Sequence, residues 1–394
     1  MHNNRFDFDE VVPRRGSHCA KWDEPADDRT LPMWIADMDF RTAPAIREAL
    51  RRRVEHGIFG YTKVPDAYYE AIVGWFGRRY GWTIDPQTIL YTIGVVPAIS
   101  TILKALTQPG DKVLALTPVY NCFFSSIRNQ ECRLEAVPLL YTPAGYRIDF
   151  EALERAAADP AARVLLLCNP HNPGGRVWSR DELLRIGEIC LRHDVFVASD
   201  EIHCDLTFDG HRYTPYATLG EEFARRSVSC IAPTKSFNIA GLQIANIVAV
   251  DEEVRRRIDR AINIFEVCDV NPFGVEALMA AYNESEAWLE ALCDYVWANY
   301  GALRSFFAER LPHYPVMPLE GSYLAWIDCR AAGIGSDELA RRLEATYHLL
   351  LNAGPLYGEG GEGFLRINLA CPRSVLTEGL HRLERGVTEI SKTL

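Results

Sequence analysis

Lys235 stands where an ammonium group has little company. It follows Ser-Val-Ser-Cys-Ile-Ala (227–232), an apolar run, and lies inside Ala-Pro-Thr-Lys-Ser-Phe-Asn-Ile-Ala-Gly-Leu (232–242), which carries no other charge. Desolvation lowers the pKa of an amine and makes it a nucleophile, the state needed to form a Schiff base with a carbonyl compound. A snorkelling or salt-bridged lysine is the ordinary alternative. Other residues able to do chemistry recur at similar places. Tyr120 ends Thr-Pro-Val-Tyr (117–120), Asn172 lies in Asn-Pro-His-Asn-Pro-Gly-Gly (169–175), and Asp200 and His203 share Asp-Glu-Ile-His (200–203). Each has a plainer reading: a core aromatic, a turn residue between two prolines, a helix cap, an ordinary buried histidine.

The elements that must position these residues are legible as short, continuous apolar runs. Residues 112–116, 163–168, 195–199 and 228–232 have the length and composition of strands buried on both faces of a sheet. Between two of them, Ser179 and Glu182 make a capping-box pattern, followed at helical spacing by Leu183, Leu184, Ile186, Ile189, Cys190 and Leu191. This alternation predicts an α/β domain with a mostly parallel sheet. Ligands of such sheets bind beyond the carboxyl ends of the strands. Tyr120, Asn172, Asp200 with His203, and Thr234 with Lys235 each lie just past one of these runs, so one crevice would collect them. Tyr-Thr-Ile-Gly-Val-Val-Pro-Ala-Ile-Ser (91–100) reads as a strand end, a glycine turn and a helix start, whose free N–H groups at Gly94 and Val95 suit an anion.

From about residue 275 the pattern changes to one long helical stretch, with Leu278, Ala281, Tyr282, Trp288, Leu289, Leu292, Tyr295 and Val296 on one face. Residues 322–328 and 364–370 then read as strands of a smaller α+β unit, with Gly-Glu-Gly-Gly-Glu-Gly (358–363) as a flexible loop before the second. The expected division is a large domain over 48–285 and a small one formed by 1–47 and 286–394.

Bulk properties narrow the function. The chain has 394 residues, a net charge of −11 and 48% hydrophobic residues, so no basic surface argues for nucleic acid or an anionic membrane. No apolar run is long enough to span a bilayer, and no leader-like segment opens the chain. Eleven cysteines without a Cys-x-x-Cys pair fit free thiols in a reducing, cytoplasmic setting; Cys168, Cys190 and Cys230 read as small core residues. No metal ion is expected.

A nucleophilic amine, a buried acid, a stacking ring, an amide and an anion-ready helix start match the needs of pyridoxal phosphate. Its ring withdraws electrons when an acid keeps its pyridine nitrogen protonated. At this point the chain resembles the fold-type I pyridoxal-phosphate enzymes of the aminotransferase class I/II superfamily. More narrowly, it resembles the MalY/PatB-type cystathionine β-lyases, or C–S lyases. The likeness runs over nearly the whole chain. It is carried by Lys-Trp-Asp (21–23), Leu-Pro-Met-Trp-Ile-Ala-Asp-Met-Asp-Phe (31–40), Gly-Ile-Phe-Gly-Tyr-Thr (57–62) and Gly-Val-Val-Pro-Ala-Ile-Ser (94–100). Cys-Asn-Pro-His-Asn-Pro-Gly-Gly-Arg (168–176), Ser-Asp-Glu-Ile-His (199–203) and the Lys235 segment complete it.

The resemblance implies a role for each matching residue. Lys235 would hold the cofactor as a Schiff base, Asp200 would pair with the ring nitrogen, Tyr120 would stack on the ring and Asn172 would contact the ring oxygen, while His203 could contact that oxygen or fix Asp200. Gly94, Val95 and Thr234 would cradle the phosphate, with Tyr61 reaching it from the other subunit of a homodimer whose sites lie at the interface. Arg366, helped by Asn172 and the main-chain N–H of Ala36, would clamp the α-carboxylate of an amino-acid substrate. Tyr61, Trp34 and residues 355–363 are the expected leaving-group pocket. Two departures from the broader aminotransferase pattern accord with the lyase branch. No basic residue stands between Lys235 and Arg255, and His203 replaces the usual tyrosine. The implied reaction is α,β-elimination of L-cystathionine and related S-substituted L-cysteines to a thiol (homocysteine from cystathionine), pyruvate and ammonia, a step of cysteine metabolism and methionine biosynthesis. An aminotransferase keeping the same residues, and a regulatory protein retaining the site, are the alternatives.

Overall fold

The continuous apolar runs form strands of one seven-stranded sheet. The computed structural model describes residues 6–264 and 269–392. In chain order the strands are β1 (Ile89–Thr92), β2 (Lys112–Thr117), β3 (Arg133–Pro138), β4 (Ala162–Cys168), β5 (Phe196–Asp200), β6 (Ser227–Ile231) and β7 (Ala245–Val248). They lie side by side as β1-β7-β6-β5-β4-β2-β3. The five from β6 to β3 pair in parallel, whereas β7 runs antiparallel to both its neighbours. The mostly parallel α/β sheet expected from the sequence is therefore present.

Alternation along the strands sends side chains to two separate cores. Leu165, Leu167 and Val197 meet Leu183, Ile186, Ile189 and Cys190 of helix α2 (Arg180–Arg192) on one face. Val164, Leu166, Ala198 and Val228 meet Ala98, Ile99, Ile102 and Leu103 of helix α1 (Val95–Leu106) on the other. Covered on both sides, β5 and β6 are buried at every residue, their polar Ser199, Asp200, Ser227 and Ser229 included. The Ser179–Glu182 capping box forms as read, with Ser179 Oγ accepting from the Glu182 N–H and the Glu182 carboxylate accepting from the Ser179 N–H.

Two sequence expectations need correction. The long helical stretch is two helices, α3 (Pro272–Glu284) and α4 (Glu286–Arg310). Ser285 separates them: its hydroxyl donates back to the Ala280 carbonyl at 2.9 Å, while its own carbonyl accepts from Trp288 and Leu289 and starts the second helix. The named face is otherwise buried, except that Tyr295 is only partly so. The glycine run 358–363 is not a loose loop. Gly358 (φ +87°) lies under the Phe124 ring, where an added Cβ would sit 2.8 Å away, and a Cβ on Gly354 would lie 1.6 Å from the Gly361 carbonyl. These glycines serve close approach of backbone, not flexibility.

A smaller antiparallel sheet holds β8 (Leu324–Asp328), β9 (Asn352–Ala353) and β10 (Phe364–Asn368), in the order β8-β10-β9. Near it, Leu31–Pro32 pairs in parallel with Leu349–Leu350, tying the N-terminal arm to the C-terminal third. Among the described residues, no helix is long and apolar enough to cross a membrane.

Candidate active site

Strand register explains the convergence. Cys168, Asp200 and Cys230 are Cα partners across β4, β5 and β6, so the segments that follow emerge at one edge. A cavity of about 180 Å³ opens there, lined by Gly94, Val95, Tyr120, Asn172, Asp200, His203, Thr234, Lys235 and Ala36 among others. Cys168 also lines it, so this thiol is a wall of the site as well as a core residue. Asn172 arrives on a turn closed by His171 and Arg176, whose next-to-last residue Gly175 adopts φ +67°. Gly174 is equally constrained: a Cβ there would come within 2.7 Å of the Tyr146 ring.

Lys235 follows β6, and its Nζ donates to the Ala36 carbonyl at 2.5 Å. Burial lowers its ammonium pKa, while Asp37 and Asp200 work against that shift and Arg366 adds to it. Burial pushes the Asp200 carboxyl up to about 7, against the N–H of Ile202, which donates to it at 3.1 Å. His203 is driven down to about 3, first by burial and then by the charges of Lys235 and Arg366. Its Nδ1 is buried with no hydrogen-bond partner, and its ring meets Tyr323 edge-on at 5.9 Å. Burial likewise raises the Tyr120 hydroxyl.

Gly94 is the N-cap of helix α1, and the first helical bond runs from the Ala98 N–H to the Gly94 carbonyl, leaving the N–H groups of Val95 and Val96 free at the cavity. Pro97 has no N–H to offer. Among the described residues of the lining, Lys235 is the only lysine or arginine.

Arg366 lies on β10, opposite Trp326 of β8. It is 3% exposed, yet among the described residues it has no carboxylate within 4.0 Å. Its Nη1 donates to Asn172 Oδ1 at 3.1 Å and its Nη2 to the Trp34 carbonyl at 2.7 Å; Nε has no partner, and the guanidinium stacks 4.9 Å over Tyr357. A buried cation facing only neutral acceptors is incompletely compensated, and an incoming carboxylate would complete it.

Some residues enter differently from the sequence reading. Ala36 contributes its carbonyl, to Lys235 and to Tyr323 (3.0 Å), where the N–H was expected. The Trp34 indole donates to the Lys21 carbonyl at 3.2 Å, and its own carbonyl serves Arg366. Tyr61 is 98% exposed and lies outside its own chain's cavity. Tyr323, Tyr357 and Asn238 were missed, because aromatic or amide residues in apolar surroundings carry no spacing signal.

Behind Asp200 lies a second buried acid, Glu201, fully enclosed and also pushed by burial up to about 7. It accepts from Ser199 Oγ (2.8 Å), the Tyr216 N–H (2.9 Å) and the Tyr213 hydroxyl. The folded pKa exceeds the unfolded one, so its protonated form stabilises the fold below about 4.3 and that contribution fades as pH rises through about 7. The buried histidines His171 and His203 shift oppositely, to about 4 and about 3, and mask this in the wild-type curve. Glu201→Gln should therefore gain stability relative to wild type as pH rises from 4.5 to 7, by a few kcal/mol at most, read by urea denaturation at each pH. A difference that stays constant with pH would show that Glu201 does not titrate in that window.

The fit of these residues to a planar aldehyde bearing a phosphate is close. A desolvated amine, a buried carboxyl, an unpartnered histidine nitrogen and free helix N–H groups all border one cavity. That combination defines the class of α/β enzymes that carry pyridoxal phosphate. Residues 32–383 match the family described as Aminotransferase class I and II, and the chain belongs to that family. Cystathionine beta-lyase PatB of Bacillus subtilis (strain 168) is 41% identical over 97% of this chain and 100% of its own length. Protein MalY of Escherichia coli (strain K12) is 33% identical over 98% of this chain and 100% of its own. Among solved structures, cystalysin from Treponema denticola, which contains pyridoxal 5'-phosphate, superposes with a TM-score of 0.94 at 33% identity, covering 98% and 99% of the two chains. The cofactor of this protein is pyridoxal phosphate, and its fold is that of the fold-type I enzymes.

Proposed function

We propose that the protein is a pyridoxal-phosphate-dependent carbon–sulfur lyase that splits L-cystathionine and related S-substituted L-cysteines to a thiol, pyruvate and ammonia. The observation that carries this reading is Lys235, an amine with a lowered pKa, facing the cavity that Asp200 also lines, with Arg366 behind Asn172 and, among the described residues, without a carboxylate partner. The likeness to a cystathionine β-lyase over the full length selects elimination from the reactions such a site supports.

When bound, pyridoxal phosphate supplies an electron sink conjugated to the substrate Cα. Lys235 would hold the cofactor through its Nζ and, when that amine is free, would take the Cα proton. Asp200 would hold a proton on the ring nitrogen, and such a positive partner would draw its own pKa back down. Tyr120 would stack on the ring and Asn172 would donate to the ring oxygen, with His203 beside it. Gly94, Val95 and Thr234 would hold the phosphate without an arginine, relying on the helix N-terminus. Arg366 with Asn172 orients the α-carboxylate, and Ala36 borders it. Loss of the β-sulfur as thiol leaves an unsaturated amine, which water converts to pyruvate and ammonia.

The working unit in this reading is a homodimer. Ile58, Phe59 and Tyr61 are 66%, 56% and 98% exposed on one short segment, an apolar surface that supports burial against a second copy, with Tyr61 reaching the partner's phosphate site. The division into 48–285 against 1–47 with 286–394 is supported by the Leu31–Pro32 pairing with Leu349–Leu350. A cytoplasmic setting is supported by the ten described cysteines, all free thiols.

Holoenzyme given S-methyl-L-cysteine, with and without a 2-oxo-acid acceptor, tests the reading. Release of methanethiol independent of the acceptor is expected. Acceptor-dependent formation of a sulfur-containing keto acid, with no thiol, would assign an aminotransferase instead.

A further inference from the structure

The main chain of residues 34–38 holds both cations of the site, and something must hold that main chain. The Trp34 carbonyl accepts from Arg366 at 2.7 Å and the Ala36 carbonyl from Lys235 at 2.5 Å. Side chains secure this segment at three edges. Asn238, three residues after Lys235, accepts from the Met38 N–H and donates to the Met38 and Phe40 carbonyls. Asn368, two residues after Arg366, donates to the Ile35 and Asp37 carbonyls at 2.7 and 2.6 Å. The third edge is ionic. Lys21, only 1% exposed, places Nζ 2.8 Å from Asp39 and 3.4 Å from Asp37. Arg14 reaches Asp37 at 2.6 Å, Asp39 at 2.7 Å and the Met38 carbonyl at 3.1 Å. The Trp22 indole also donates to Asp39 at 2.8 Å.

We propose that Lys21 and Arg14 are positioning residues for the lyase site: their ion cluster with Asp37 and Asp39 sets the carbonyls of Trp34 and Ala36 against Arg366 and Lys235. This rests on the function proposed above. Two cations on two carboxylates balance in charge, so the cluster avoids an unpaired buried ion. Burial alone would raise the Asp39 carboxyl, but Lys21 and the hydrogen bonds from Lys21, Trp22 and Arg14 hold it below its ordinary value. Apolar residues could fill the same volume at no loss of stability, but they would not fix direction. Arg14 bonds both carboxylates and a carbonyl between them, which fixes the segment along its length as well as against the core. A slip of the segment would move both carbonyls together, changing how Arg366 presents itself to a carboxylate and how Lys235 is aimed.

The test uses holoenzyme and L-alanine, which carries the amine and carboxylate but no β-leaving group, with binding read from the cofactor's visible absorbance. Arg14→Gln and Lys21→Met should each bind L-alanine about tenfold more weakly, the effect of degrading one charge-assisted hydrogen bond. KM for S-methyl-L-cysteine should rise by about the same factor, with kcat changed less. Arg14→Lys, which keeps the charge but not the fork, should recover only part of the affinity. Arg14 is a fifth exposed, so Arg14→Gln decides the matter if Lys21→Met does not fold. Affinity unchanged in the folded variants, or a signal lost only in proportion to cofactor occupancy, would reduce the cluster to a folding staple and overturn the proposal. Weaker L-alanine binding in an enzyme whose parent releases no thiol would sink the lyase reading and leave this one standing.

Discussion

Lys235→Ala should lower kcat/KM for thiol release by about 10⁴-fold or more, because one amine performs two tasks. As general base at Cα it supplies on the order of 10² to 10⁴ in rate, and as nucleophile it holds the cofactor where substrate can displace it. The depressed pKa matters to both, since an ammonium can neither attack nor accept a proton. Removing Lys235 also frees the Ala36 carbonyl, which still accepts from Tyr323, so the fold should survive the substitution. Thiol release from S-methyl-L-cysteine, with folding checked by circular dichroism, measures it. Activity within tenfold of wild type would remove Lys235 from the chemistry.

Arg366→Met should cost about 10² to 10⁴ in kcat/KM, the worth of two hydrogen bonds between charged groups at about 1.5–3 kcal/mol each. The loss should track the substrate's carboxylate. S-methylcysteamine has the amine and thioether of S-methyl-L-cysteine but no carboxylate, and thiol release reports on both. Wild type should favour the amino acid strongly, and Arg366→Met should lose most of that preference while handling the cysteamine almost as before. This cycle cancels the intrinsic difference between the two compounds. A preference unchanged by the substitution would mean that Arg366 meets the carboxylate nowhere. Arg366→Lys should not rescue, because the present geometry uses separate Nη atoms on Asn172 and Trp34 and a single ammonium cannot reproduce that fork.

Most of the large sheet was readable because burial on both faces leaves an unbroken apolar run, and β2, β4, β5 and β6 each show one. Tyr120, Asn172, Asp200, His203, Thr234 and Lys235 then followed from where those runs stop, and all of them line one cavity. The antiparallel β7 was not anticipated, since its Ala-Asn-Ile-Val carries no orientation signal. Ser285 was invisible as a helix break because a lone serine in a good helical pattern usually points outward; here it folds back on Ala280. The glycines of 358–363 read as slack because close backbone approach is a property of the folded chain. Backbone contacts were equally hidden: nothing in the residue types of Trp34 or Ala36 says that their carbonyls meet Arg366 and Lys235. Side-chain chemistry at strand ends is written in the sequence; main-chain chemistry in a loop is written only in how the loop is tied.

The most direct measurement is the stoichiometry of products from L-cystathionine with purified holoenzyme. Homocysteine, pyruvate and ammonia should appear together in equal amounts, at a rate that needs no acceptor and disappears in Lys235→Ala. Cystathionine consumed to its keto acid without free thiol, or homocysteine formed without pyruvate, would contradict α,β-elimination at this site.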